Sequence, residues 1–300
     1  MESLQRSNEP CFLCPRGCGV PRSPEEGDGF CGMGSQAVVA RAAPHYWEEP
    51  FISGTRGTGA IFFSGCTLKC CYCQNWEISH GGKGERLSAR ALADCFKRLE
   101  DQGVHNISLI TATHFLPAIL DAFALYKPNI PIVYNTGGYE RVEVIHALAD
   151  IIDIWLPDIK LVSPRLSRLL LGCADYFAFA APAVQAMCRI SGPAQYDDQG
   201  LMRRGTLLRH LIIPGCVTDT LQVLRFVADE LPPGTPLSLM RQYTPIPQCV
   251  LPGLDRHLRG SEYARTLEAF HSLGLAGYAQ EAESADPAFT PPFDGTGVKN

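Results

Sequence analysis

The sequence predicts an α/β fold: an incomplete parallel (β/α)6 barrel with a small amino-terminal cysteine-rich segment. Three observations carry this expectation. Short apolar runs alternate with helical-period stretches from residue 60 to residue 279, the pattern of a parallel sheet covered by helices. Several of these runs give way to polar residues at their C-terminal ends, where parallel barrels assemble their sites. Of the 13 cysteines, those outside the scattered Cys95, Cys173, Cys188, Cys216 and Cys249 fall in two groups, 11 to 31 and 66 to 73.

The elements follow in order. Residues 9 to 35 carry Cys11, Cys14, Cys18 and Cys31 among glycines that permit tight turns. So few residues fold poorly without a staple, and metal is the economical one, as zinc on four thiolates or as a second iron-sulfur cluster. Four free thiols are the alternative. Residues 36 to 59 read as a connection in which His45 and Trp47 could line a site, and Ser53 to Gly59 as a turn-rich loop without a P-loop lysine. The expected division is 1–58 for the cysteine-rich segment and connection, 59–280 for the barrel, and 281–300 for a tail that either seals the barrel mouth or is only partly ordered.

Ala60-Ile61-Phe62-Phe63 reads as a buried strand, and Ser88 caps a helix with apolar positions Leu92, Cys95, Phe96 and Leu99. Strands are expected at 107–110, 131–134, 151–156, 207–213, 237–240 and 275–279, with helices at 117–126, 141–149, 164–171, 176–190, 218–231 and 262–273. Their polar ends are Cys66, Thr111-Ala112-Thr113-His114, Asn135-Thr136-Gly137-Gly138 and Asp158-Ile159-Lys160. Singly, each is an ordinary cap or turn. Together on one barrel face they make a shared site.

The 46% hydrophobic content over 300 residues suffices for one large domain, and a net charge of −5 leaves no basic footprint for nucleic acid. No run of about 18 apolar residues suggests a membrane span, and Met1 to Arg6 lack a signal peptide's apolar stretch, so a cytoplasmic protein is expected. In a reducing compartment clustered cysteines point to metal rather than disulfides.

Directly after the first strand stand Cys66, Cys70 and Cys73, spaced C-x3-C-x2-C with Tyr72 before the last. Cubane clusters usually take four cysteines, so three leave one iron open. Cys71, as Cys70's neighbour, is expected to point away and be spare. The alternative, a zinc knuckle, usually draws on two separated cysteine pairs.

This motif is similar to the radical S-adenosylmethionine (SAM) signature. The wider chain resembles the pyruvate formate-lyase activating enzyme group, in its branch with an amino-terminal four-cysteine segment. The likeness runs through Cys11 to Val20, His45-Tyr46-Trp47-Glu48-Glu49-Pro50, Ile52 to Gly57, Phe62 to Cys66, Tyr134 to Glu140, Leu156 to Lys160, His210 to Gly215 and Met240 to Pro245. It implies a [4Fe-4S] cluster on Cys66, Cys70 and Cys73, with SAM chelated at the open iron and cleaved reductively to a 5′-deoxyadenosyl radical. The family's Gly-Gly-Glu segment is replaced here by Thr111-Ala112-Thr113-His114, so the resemblance implies that backbone carbonyls or threonine oxygens receive the SAM amino group or that the role is filled differently. Asn135, Thr136, Asp158 and Lys160 match positions around SAM, with Lys160 suited to the methionine carboxylate. Arg209 matches a further cation, His210 should face the other side of its strand, and Tyr243 could border the adenosine. By analogy the acceptor is a glycine of a partner glycyl radical enzyme, and a flavodoxin or ferredoxin is the electron donor. Another peptide or metabolite, or a non-catalytic electron carrier or zinc-stapled protein, are the other readings.

Overall fold

The computed structural model describes residues 10–280 and 290–298. Its strands and helices, in order, are β1 (Ala37–His45), α1 (Pro50–Ser53), β2 (Thr58–Phe63), α2 (Trp76–Ser79), β3 (Glu85–Leu87), α3 (Ala89–Asp101), β4 (Ile107–Ile110), α4 (Leu116–Leu125), β5 (Ile132–Thr136), α5 (Val142–Ala147) and β6 (Ile154–Pro157). There follow α6 (Pro164–Leu171), α7 (Tyr176–Ser191), β7 (Gln195–Tyr196), β8 (Met202–Thr206), β9 (Leu208–Leu211), α8 (Val217–Glu230), β10 (Leu237–Met240), α9 (Gly260–Ser272) and β11 (Gly277–Ala279). No single described helix is long and apolar enough to cross a membrane.

Strands β2, β4, β5, β6 and β8 run parallel side by side, and β9, β10 and β11 continue in the same sense as a second sheet. The two sheets join where Asp158 bridges Arg209 and the Ile159 amide donates to the Arg209 carbonyl at 2.9 Å. The result is the partial α/β barrel expected. Every residue of β2, β4, β5, β6 and β10 is buried, because helices cover one face and the barrel interior the other.

Local signals act as read. The Ser88 side chain accepts from the Ala91 amide at the start of α3, whose Leu92, Phe96 and Leu99 face the core. Ser163 caps α6 in the same way, with Pro164 in its first turn and Gly172 left-handed at φ 65° behind it.

The stretch 36 to 59 differs from its reading as a connection: β1 pairs antiparallel with β2 and β3. Its alanines have weak strand propensity and Arg41 interrupts the apolar run, so the strand exists through pairing rather than through local preference. Met202-Arg203-Arg204-Gly205-Thr206 concealed β8 for a similar reason. Residues 281–289 of the tail lie outside the described residues. Residues 290–298 lie along β1, through Gly295 amide to Ala40 carbonyl and Ala42 amide to Thr296 carbonyl bonds, both 3.0 Å, and Phe293 packs edge-on to Phe62.

Candidate active site

At the end of β2 the chain turns through Gly65 (φ 78°) into the loop bearing Cys66, Cys70 and Cys73. Glycine is required at 65: a Cβ there would strike Met33 and stand 3.1 Å from both the Cys31 carbonyl oxygen and His114 Nε2. Lys69 takes a left-handed φ of 51°, and the Cys73 amide closes a turn on the Cys70 carbonyl at 3.1 Å. These bends bring the three sulfurs into one another's field. Burial pushes the Cys70 thiol well up, with Cys73 and Cys66 adding to the effect and Lys160 opposing it. Cys73 is raised by burial and by Cys66, against the Ser79 hydroxyl and Lys160. Cys71 belongs elsewhere: its Sγ lies 3.6 Å from Cys249 Sγ, and burial with that neighbour pushes it up to about 12.

Among the described residues no three His, Cys, Asp or Glu side chains converge as they would on a single ion. The fit to an iron-sulfur group rests on donor chemistry. Buried thiols resist ionisation until a cationic centre takes the sulfur, and in a cubane each thiolate meets a different iron.

Cys70, Cys73 and Tyr72 form one wall of a cavity of about 200 Å³ that Gln74, Asn75, Asp158, Lys160, Arg209, Met240 and Tyr243 complete. A second cavity of about 150 Å³ shares Gln74, Asn75, Arg209 and Gln242 with it and adds His45, Trp47, Glu48, Asn135 and Thr290. Between them runs a buried ionic network. Arg209 Nε donates to Asp158 Oδ1 (2.9 Å), Nη1 to Glu48 Oε1 (2.7 Å) and Nη2 to Asn135 Oδ1 (2.7 Å). Asn135 Nδ2 donates to Glu48 Oε2 at 2.7 Å, and Lys160 Nζ to Asp158 Oδ2 at 2.5 Å. Burial alone would raise the Asp158 carboxyl, but Arg209 and Lys160 outweigh it and hold it below its ordinary value. Lys160 is disfavoured by burial yet ends raised, through Asp158 and then Cys70.

The structure thus brings together Asn135, Asp158, Lys160, Arg209 and Tyr243 with the three cysteines. Tyr243 donates to the Leu254 carbonyl at 2.8 Å while its ring borders the cavity. Thr111, Thr113, His114 and Thr136, expected at the cofactor, line neither cavity. Thr113 Oγ1 donates to Glu140 Oε1 at 2.6 Å, and Thr136 and Tyr134 bond the same oxygen. The His114 ring is sealed behind the loop with Nε2 on the Ser64 carbonyl at 2.7 Å, and burial lowers it to about 3. Thr113 and His114 are carried inward by the 3-10 turn Thr113–Phe115, and Thr136, which follows Asn135 in β5, faces the other side of that strand. His210 faces the other side of its strand, against the Ile159 carbonyl and Thr220. Sequence reasoning missed Glu48, Gln74, Asn75 and Gln242. Paired acids before Pro50 in an aromatic stretch were the available signal for Glu48.

With this geometry in place, residues 60–173 match the model of the Radical SAM superfamily. That segment is a radical SAM domain. It is 25% identical over 278 residues to one uncharacterized protein of Methanocaldococcus jannaschii, covering 88% of this chain and 75% of that one. A second uncharacterized protein of the same organism is 24% identical over 266 residues, covering 80% and 72%. Among solved structures, a radical SAM methyltransferase from Sphaerobacter thermophilus shares the fold with a TM-score of 0.51 at 15% identity, covering 74% of this chain and 65% of that one. Radical SAM membership carries with it a [4Fe-4S] cluster and the reductive cleavage of SAM.

Proposed function

We propose that Cys66, Cys70 and Cys73 hold the [4Fe-4S] cluster, that the adjoining cavity takes SAM, and that the hydrogen atom removed comes from a glycine of a partner glycyl radical enzyme. Bound there, cluster and SAM supply reductive cleavage of the sulfonium bond and a 5′-deoxyadenosyl radical. The observation that carries the reading is three thiols within one another's field, two of which, Cys70 and Cys73, line a cavity that also presents Asp158, Lys160 and Arg209.

The chain's own residues bind and orient. Lys160 offers its ammonium to the methionine carboxylate from a buried position where such a pairing is strong. Arg209, with all its nitrogen positions engaged by Asp158, Glu48 and Asn135, acts as a positioning residue that fixes Asp158 and hence Lys160. Thr111, directly after β4, takes a φ of 59°, a strained conformation for a β-branched residue. Tyr72 and Tyr243, 6.1 Å apart, supply apolar wall that keeps water from the reacting bond.

Support for a protein substrate comes from the rim. Trp47 (63% exposed) lines the second cavity, and an amphipathic aromatic suits a peptide chain. Glycine's unhindered α-carbon and flexible backbone suit a loop entering such a mouth. The test is anaerobic reconstitution with SAM and dithionite, followed by mixing with candidate glycyl radical enzymes. 5′-Deoxyadenosine and a glycyl radical doublet are expected. 5′-Deoxyadenosine without the doublet for any such enzyme would move the reading to another peptide or a metabolite, and no 5′-deoxyadenosine would sink it.

A further inference from the structure

The cysteines at 11, 14, 18 and 31 are unused by the chemistry above, yet their surroundings are specific. The Cys11 amide donates to the Val20 carbonyl (2.8 Å) and the Gly19 amide to the Cys11 carbonyl (3.0 Å), while the Gly17 amide closes a turn on Cys14 (3.1 Å). The Phe30 amide donates to Cys18 Sγ at 3.3 Å, and Arg22 Nη1 lies 3.9 Å from Cys11 Sγ. Cys14 feels Cys11 and Cys31, and Cys31 feels Cys11 and Cys18, so the four thiols share one locality.

Three arginines surround this unit without any carboxylate partner among the described residues. Arg22 is buried on the carbonyls of His114, Met33 and Gly34. Arg141 donates to the Cys14 carbonyl at 3.1 Å. Arg16 donates to the carbonyls of Thr67 (2.8 Å), Leu68 (3.3 Å), Leu171 (2.9 Å) and Gly172 (2.8 Å). Arg22, a buried cation without an acidic partner among the described residues, calls for a fixed negative centre, and thiolates holding a metal group are one.

The contacts also say where that centre sits. Arg16 grips the loop between Cys66 and Cys70, and the Cys31 carbonyl packs against Gly65, next to Cys66. The unit therefore packs directly on the active-site loop, and none of its residues lines the adjoining cavity. Its outer face presents Phe12 (52% exposed) and Phe30 (38%) beside the cysteines.

We propose that Cys11, Cys14, Cys18 and Cys31 hold a second iron-sulfur cluster that passes electrons to the one on Cys66, Cys70 and Cys73. The relay rests on the radical SAM reading. An external one-electron reductant gives up one electron per SAM cleaved. That electron reduces the outer cluster, then the inner one, and is consumed in breaking the sulfonium carbon–sulfur bond, with no proton moved along the way.

The test is iron, acid-labile sulfide and zinc analysis with Mössbauer and EPR spectroscopy on anaerobically purified chain. Wild type should hold about eight irons if both clusters are cubanes, or about six if the outer one has two. Cys11→Ala/Cys14→Ala should keep about four, and Cys66→Ala/Cys70→Ala/Cys73→Ala should keep only the outer cluster's iron. Zinc in the wild type, or about four irons and no zinc, overturns the inference, and neither outcome needs a folded variant. Iron undiminished in the triple variant would sink the radical SAM assignment of those cysteines instead. For the relay, the reduced wild type should show faster EPR relaxation than either variant, and equal relaxation would overturn it.

Discussion

The ends of β4 and β6 look alike as sequence, each an apolar run giving way to polar residues, but they do opposite work. At β6 and β9, Asp158, Lys160 and Arg209 turn into the cavity and form an ionic network with Glu48 and Asn135. At β4, Thr113 and His114 turn away from it, one to Glu140 and the other behind the cysteine loop. A polar strand end is thus a candidate for the site, and what decides is the first turn after the strand. An open loop leaves the side chain in the mouth, whereas a 3-10 turn folds it into the core.

Four substitutions sharpen the contrast. Cys70→Ala should have the largest effect, abolishing the loop's [4Fe-4S] spectrum and 5′-deoxyadenosine formation with SAM and dithionite, checked by EPR and chromatography. Arg209→Met should leave Glu48 and Asp158 short of their cation and cost about 3–5 kcal/mol of stability, read by urea unfolding. At the β4 end the expected signature is a pH dependence. Burial raises the Glu140 carboxyl from 4.5 to about 7, so between those values the folded chain keeps a proton that the unfolded chain has lost. Its contribution is present below pH 4.5 and declines by about 3 kcal/mol as pH rises through 7. His114 acts in the other direction, since a folded value of about 3 against 6.5 means stability lost as pH falls below 6.5. Glu140→Gln should remove the decline above pH 6.5 and leave the acid limb, and an unchanged profile would show that the carboxyl is ionised in the fold. Cys71→Ser should do least, about 1 kcal/mol or less, with iron content intact.

Much of this was legible beforehand because the determinants are local. The strand-helix alternation, the Ser88 and Ser163 caps and the C-x3-C-x2-C spacing each act within a few residues. What escaped depends on partners distant in sequence. β1 is a strand only because β2 and β3 flank it, and Glu48 enters the site only because Arg209, 161 residues away, reaches it. His114 was expected at SAM because its strand end is correctly placed, but its ring direction is set by Ser64 and Arg22. The left-handed Thr111 is likewise invisible in composition, since nothing in a threonine announces a φ of 59°.

The most direct measurement is EPR of the anaerobically reduced Cys11→Ala/Cys14→Ala chain, in which the cluster on Cys66, Cys70 and Cys73 is observed alone, titrated with SAM. An open iron beside the Lys160 cavity predicts a shifted g-tensor on adding SAM, with a weaker response in Lys160→Met. A spectrum indifferent to SAM would mean that the fourth iron is already held by the protein, and would contradict the account.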